Sequence, residues 1–208
     1  MNIALIIIAV TLLLWIIWTL AVVYGIEWPT YRIIEKKQGY EIREYESYTV
    51  AEIEVEGNMK QALYAWFRQL AGYIFGGNIS RTSIGVSASL QTMRAPENIA
   101  MTVPVMESAS GNKKHTIAFT MPSKYTLETL PQPNNPKIVL RNVPKSRKAV
   151  IKYSWYATEK RVNTKKKQLK NLLDRDGYIM KGEMISAQYN PPMSFPFLRR
   201  NEIMVDVE

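Results

Sequence analysis

A chain of 208 residues with 47% hydrophobic and 22% charged side chains has the composition of a globular protein and not of a disordered one. It has no cysteine, which excludes disulfides, thiolate metal sites, a cysteine nucleophile and any cofactor attached through cysteine. The net charge of +9 would suit a nucleic-acid partner, but no aromatic platforms alternate with the cations and no nucleic-acid motif is present, so none is expected.

The first element is apolar throughout. "NIALIIIAVTLLLWIIWTLAVVYGI", residues 2 to 26, carries no charged side chain. At about 1.5 Å per residue, some 22 helical residues cover the roughly 30 Å hydrocarbon layer of a bilayer. Tyr24 and Trp28 fall where an interfacial aromatic belt sits, and Pro29 stops the helix. The run is too long for a signal peptide and lacks its basic start and small-residue cleavage site. It also has no polar side, which a core helix would show. The expectation is a single transmembrane anchor over residues 1–28, followed by a domain over 29–208. Arg32, Lys36 and Lys37 follow the anchor closely, so the positive-inside rule puts the domain in the cytoplasm.

Next, "YEIREYESYTVAEIEVEG" (40 to 57) alternates Val50, Ile53 and Val55 with Glu52, Glu54 and Glu56, with one slip near Ala51, and reads as strand. In "NMKQALYAWFRQLAGYIFGG", Met59, Leu63, Trp66, Phe67, Leu70 and Ile74 recur at intervals of three and four. That spacing predicts a helix with one buried stripe, Asn58 as N-cap and Gly76 and Gly77 as its stop. "NIAMTVPVMES" and "HTIAFTMP" then form a hairpin around "ASGNKK", and "PKIVLRNVP" adds a strand.

Pro131, Pro133 and Pro136 mark a linker, after which the plan repeats. "RKAVIKYSWYA" reads as strand. Thr158 caps a helix whose stripe is Val162, Leu169, Leu172 and Leu173. "DGYIMKGEMISAQYN" and "RNEIMVDVE" return as strands. "GYIFGG" (72 to 77), late in a helix or at its exit, and "GYIMKG" (177 to 182), opening a strand, resemble each other in part, and the shared strand–helix order around both supports duplication. Two strand–helix–strands halves, about 40–130 and 137–208, predict an α+β chain: a curved or barrel-like antiparallel sheet with two flanking helices, preceded by the transmembrane helix.

Several stretches, "YEIREYE", "FGGN", "IAMTVPV", "AQYNPPM" and "RRNEI", occur together in this order. With them the chain resembles the SOUL family of haem-binding proteins across roughly residues 30 to 208. The resemblance implies a duplicated α+β barrel similar to the effector-binding domains of the GyrI-like group. It also implies haem or a related tetrapyrrole as a noncovalent ligand, in a groove between the first domain helix (58 to 75) and the loop Asn190 to Arg200. Such a groove needs an apolar slot and cations for the propionates. On the helix the expected contacts are Met59, Leu63, Phe67 and Arg68; on the loop they are Met193, Phe195, Phe197 and Arg199. No His stands near "IREYES", and Tyr64 and Gln69 stand where the family suggests cations. The iron ligand is therefore unknown, with His115 and Met193 as its candidates.

Nothing points to an enzyme. No Gly-x-Ser-x-Gly elbow or phosphate-binding Gly-Lys loop is present, and one histidine cannot build a metal cluster. Two other readings stay open: a module for another hydrophobic small molecule, and an interaction domain without a small ligand. The cations of "KSRK" (145 to 148) and of 159 to 170, Lys165, Lys166 and Lys167 among them, either form a solvated face or attract an anionic membrane surface.

Overall fold

The computed structural model describes residues 2–56, 59–81, 95–109 and 114–208, with the side chains of 59–65 outside that description. Asn58 and most of the "ASGNKK" turn therefore lie outside the described residues. Helix α1 spans Ile3–Val23 and is long and apolar enough to cross a membrane. The Thr11 hydroxyl is absorbed by its own helix, donating to the Ile7 carbonyl at 2.8 Å.

Strands β1 (Tyr31–Lys37), β2 (Tyr40–Tyr45) and β3 (Tyr48–Glu56) follow, then α2 (Met59–Ile74) and β4 (Asn78–Ile79). Beyond them lie β5 (Val105–Ala109), β6 (Lys114–Thr120), β7 (Gln132–Pro133), β8 (Val139–Val143) and β9 (Ser146–Tyr153). The chain ends with α3 (Glu159–Asp176), β10 (Met180–Gln188), a 3₁₀ turn (Pro196–Leu198) and β11 (Asn201–Val207). The single strand expected over 40 to 57 is thus two. Between them the Glu46 backbone N–H donates to the Thr30 carbonyl at 3.0 Å and its carboxylate meets Lys145 at 2.9 Å. These contacts are far apart in sequence, so the alternating pattern does not reveal them. Likewise only residues 105–108 of "NIAMTVPVMES" fall in a strand (β5), and β1 had no alternation to announce it.

Two compact units divide the chain. The first comprises Met1–Ile26, Ile33–Arg43 and Arg147–Glu208; the second comprises Glu27–Arg32 and Glu44–Ser146. In the second unit the antiparallel order is β5-β6-β3-β8. Strand β3 is central, with Val50 opposite Thr120 of β6 and Arg141 of β8. Helix α2 lies on β3 and β6 and buries Trp66, Leu70, Tyr73 and Ile74 against Ala51, Ile53, Ile117 and Phe119. Each such side chain contributes about 1.5–3 kcal/mol of transfer free energy. The slip near Ala51 is resolved by burial of both Val50 and Ala51 on opposite faces of the strand.

Helix α2 stops because Gly76 takes φ +102 and the Gly77 N–H closes onto the Gly72 carbonyl at 2.7 Å. A Cβ on Gly77 would stand 2.6 Å from that same oxygen, so no larger residue fits the turn.

In the first unit the order is β1-β2-β9-β11-β10. Strand β11 pairs antiparallel with β9 (Ile203 opposite Ile151) and with β10 (Ile203 opposite Ser186). Helix α3 packs on β10 and β11 through Val162, Leu169 and Leu173. Thr158 caps its start by accepting the Arg161 N–H; Gly177, at φ +77, caps its end. The two Gly-Tyr-Ile phrases therefore serve the same event at different letters. In the first copy the closing glycines stop the helix; in the second the opening glycine does.

The interior of the first unit includes charge. Arg43 is fully buried and donates to both oxygens of the fully buried Glu202 at 3.0 and 3.2 Å, and to Glu41 at 2.8 Å. The Tyr189 hydroxyl and Arg200 also donate to Glu202, each at 2.8 Å. Desolvating such ions is tolerable only when each finds several partners, as here. Both units therefore repeat one plan of antiparallel strands with a helix laid on them. With α1 ahead of them, the chain has the expected α+β class.

Candidate functional site

The loop from Asn190 to Arg200 joins β10 to β11 within the first unit. Its neck is closed by two bonds: Tyr189 N–H to the Arg200 carbonyl at 3.1 Å, and Arg200 N–H to the Asn190 side-chain oxygen at 2.7 Å. Pro191, Pro192 and Pro196 fix φ along it. Local turns follow, from Ser194 N–H to the Pro191 carbonyl at 3.1 Å and from Leu198 N–H to the Phe195 carbonyl at 3.0 Å.

Arg199 is buried and holds the loop from inside. Its guanidinium donates to the carbonyls of Ser194, at 3.1 Å, and Pro192, and lies 4.3 Å from the Tyr156 ring centre. Burial lowers its pKa from the ordinary arginine value. Trp155 adds a second brace. Its backbone sits at φ +78, held by its N–H bond to the Pro196 carbonyl (2.9 Å) and by Asn201 donating to its own carbonyl (2.8 Å). Its ring meets Phe197 edge-on at 4.6 Å.

A third brace comes from helix α1. The Trp15 indole N–H donates to the Met193 carbonyl at 2.8 Å, and the Phe195 N–H donates to the Thr19 hydroxyl at 2.8 Å. Trp15 and Phe195 rings are 4.9 Å apart and nearly perpendicular. Sequence reasoning missed Trp15, Thr19, Trp155 and Tyr156 in this role. The available signal for the first two was a Trp and a Thr one helical turn apart in a run whose other non-aliphatic members are Thr11 and Trp18.

Of the expected loop contacts, Phe195 is thus engaged with α1 and Arg199 with the loop's own carbonyls. Met193 and Phe197 are 72% and 66% exposed and turn outward. In the second unit, Phe67 and Arg68 are exposed on α2, with Phe67 edge-on to Trp66 and Phe119 at 6.1 and 6.0 Å. The side chains of Met59 and Leu63 lie outside the described residues. His115 stands on β6, opposite Val55 of β3 and Ala109 of β5, with Nδ1 2.8 Å from Glu107. Its Nε2 is the nitrogen an iron would need. Among the described residues no group of three or more His, Asp or Glu side chains is arranged to hold a metal ion.

Two concave surfaces accompany these residues. A cleft of about 390 Å³ in the second unit is bounded by Trp28, Tyr48 and Tyr125 and by Glu27, Glu46 and Glu128, with no lysine or arginine among the described residues of its lining. Burial and a 2.5 Å hydrogen bond to Glu97 push the Tyr125 hydroxyl up to about 12, so it is neutral near pH 7. In the first unit, an open depression of about 590 Å³ on α3 and β10 has the opposite sign, with Lys160, Lys166, Lys167 and Lys170 around Met184.

Antiparallel strands carrying one helix, written twice, define a two-unit α+β domain. The family model described as SOUL heme-binding protein matches residues 26–206, and the chain belongs to that family. No curated protein matches it. Among solved structures, the crystal structure of the EcmrR C-terminal domain resembles the chain with a TM-score of 0.59 at 8% identity, covering 86% of this chain and 98% of that one. EcmrR in a complex with DNA resembles it with a TM-score of 0.56 at 10% identity, covering 84% of this chain and 59% of that one. At such identities the likeness shows the fold.

Proposed function

We propose that this chain is a membrane-anchored, noncovalent binder of haem or a related tetrapyrrole, acting as carrier, buffer or sensor and not as an enzyme. Membership of the SOUL heme-binding family over residues 26–206 is the observation that carries this reading. The contacts proposed are Met59, Leu63, Phe67 and Arg68 on α2 and Met193, Phe195, Phe197 and Arg199 on the loop. The exposed aromatic rings Phe67 and Phe197 support it most directly, because apolar surface in water awaits a partner. If iron is ligated, His115 through Nε2 and Met193 through its thioether are the candidates. Helix α1 supplies the anchor, and Arg32, Lys36 and Lys37 behind it favour a cytoplasmic domain. The lysines of α3 would add attraction to anionic lipid.

A haem titration of the full chain in detergent, followed by Soret absorbance, tests the reading. Saturation at one equivalent is expected, with marked weakening in Phe67→Asp and Phe197→Asp; a linear response in the parent chain would overturn it. A shifted Soret band in His115→Ala would identify the iron ligand.

The cleft of the second unit favours a second ligand class. Its carboxylates, aromatic rims and lack of cations suit an uncharged or cationic hydrophobic molecule better than dianionic haem. Thermal stabilisation by such amphiphiles, with none by haem, would favour this alternative.

A further inference from the structure

The docking of the loop onto α1 has a geometric consequence for membrane depth. Helix α1, at 21 residues, is about 32 Å long, matching the roughly 30 Å hydrocarbon thickness with little to spare. Thr19 and Trp15 lie about 6 and 12 Å along the axis from its Val23 end. The part of α1 before Trp15 is only about 18 Å long, too short to span the hydrocarbon by itself. A spanning α1 therefore carries its Trp15–Thr19 stretch inside the apolar layer, and with it the backbone of Met193 and Phe195.

We infer that the segment from Pro191 to Leu198 is a membrane-penetrating loop, seated in the bilayer beside the anchor with Met193, Phe197 and Leu198 in contact with lipid. The inference rests on the anchor reading above. Two further observations favour a bilayer as the occupant. First, the run from Tyr189 to Leu198, "YNPPMSFPFL", contains no charged side chain, and Met193, Phe197 and Leu198 are 72%, 66% and 40% exposed. The nearest charge, Arg199, is folded inward.

Second, the backbone is prepared for a place without water. Irregular chain survives at membrane depth only where its polar groups are satisfied within the protein. Six consecutive carbonyls here each receive a donor. Ser194 N–H serves Pro191, the Arg199 guanidinium serves Pro192 and Ser194, and the Trp15 indole serves Met193. Leu198 N–H serves Phe195, and Trp155 N–H serves Pro196. Three prolines have no N–H to satisfy, and Thr19 accepts that of Phe195. The Ser194 hydroxyl is the exception in this segment, buried without a hydrogen-bond partner among the described residues.

The absence of cysteine makes the test direct. The full chain is reconstituted in phosphatidylcholine–phosphatidylglycerol vesicles with a single bimane-labelled cysteine in place of Phe197, Met193 or Leu13. Leu13 lies on an exposed face of α1 and reports the anchor itself. The expected result is blue-shifted emission, quenching by brominated lipid and protection from aqueous iodide at all three positions. Iodide quenching at both loop positions, with Leu13 quenched by lipid, would overturn the loop proposal and leave the anchor standing. Iodide quenching at Leu13 would refute the anchor and the loop together. Lipid contact at Met193 and Phe197 would compete with their proposed haem contacts, so protection of both would confine the haem site in the bilayer to the remaining contacts; the haem titration in detergent tests binding itself independently.

Discussion

The two units follow one plan but fill it with different chemistry. In the second, α2 presses Trp66, Leu70, Tyr73 and Ile74 into a cluster completed by aliphatic and aromatic side chains from the strands. In the first, α3 offers only Val162, Leu169 and Leu173, and the sheet beneath contains Arg43 locked to Glu202. A wide apolar stripe needs nothing else to hold a helix in place. A narrow one leaves the other face of α3 free for lysines, while an ion pair fixes which strands meet, at a cost in desolvation.

The sharpest way to break this comparison is to remove the buried cation of the first unit. Arg43→Met leaves the buried Glu202 to Arg200 and the Tyr189 hydroxyl, and the expected loss is about 3 kcal/mol of unfolding free energy, the low end for breaking a buried pair. Urea unfolding of the full chain in mild detergent measures it; a loss below about 1 kcal/mol would mean the cluster is not what holds the strands. In the second unit, Leu70→Ala should cost about 3 kcal/mol through lost transfer energy and the cavity left behind. The same unfolding experiment reads this, and a near-zero change would show that α2 is not held by its stripe.

The smallest effect concerns the end of α3. Hydrogen bonds from Arg175, and then from the Tyr40 hydroxyl at 2.7 Å, hold the Asp176 carboxyl at about 2, below its usual value. Because the folded value is the depressed one, the contribution is complete above the unfolded range near 4 and is lost as pH falls from there towards about 2. Asp176→Asn should remove that acid-side slope, lowering stability modestly at pH 7, where the contribution is complete, and leaving stability near pH 2 little changed. A carboxyl carbon titration by NMR checks the midpoint directly.

Much of the fold was legible because its signals are local. The spacing of Trp66, Leu70 and Ile74 announces α2, Thr158 and Gly177 bracket α3, and the transmembrane-length run of α1 needs only counting. What was not legible depends on pairs distant in the chain. Arg43 reads as one letter of an alternating strand, and Glu202 as another; nothing local says that they meet. The loop residues Met193, Phe195, Phe197 and Arg199 could be nominated from composition and resemblance. That Arg199 faces its own carbonyls, and that Phe195 rests on Trp15, required the three-dimensional path of the chain. The split of 40 to 57 at Glu46 failed for the same reason, since the contacts that impose it come from Thr30 and Lys145.

Strand β11 sits between β9 and β10 in the middle of its sheet. It can leave only by parting both ladders at once and by uncovering the buried Glu202 it carries. Its amide protons should therefore be among the slowest in the first unit to exchange with solvent, released by opening of the whole unit and not by local fraying.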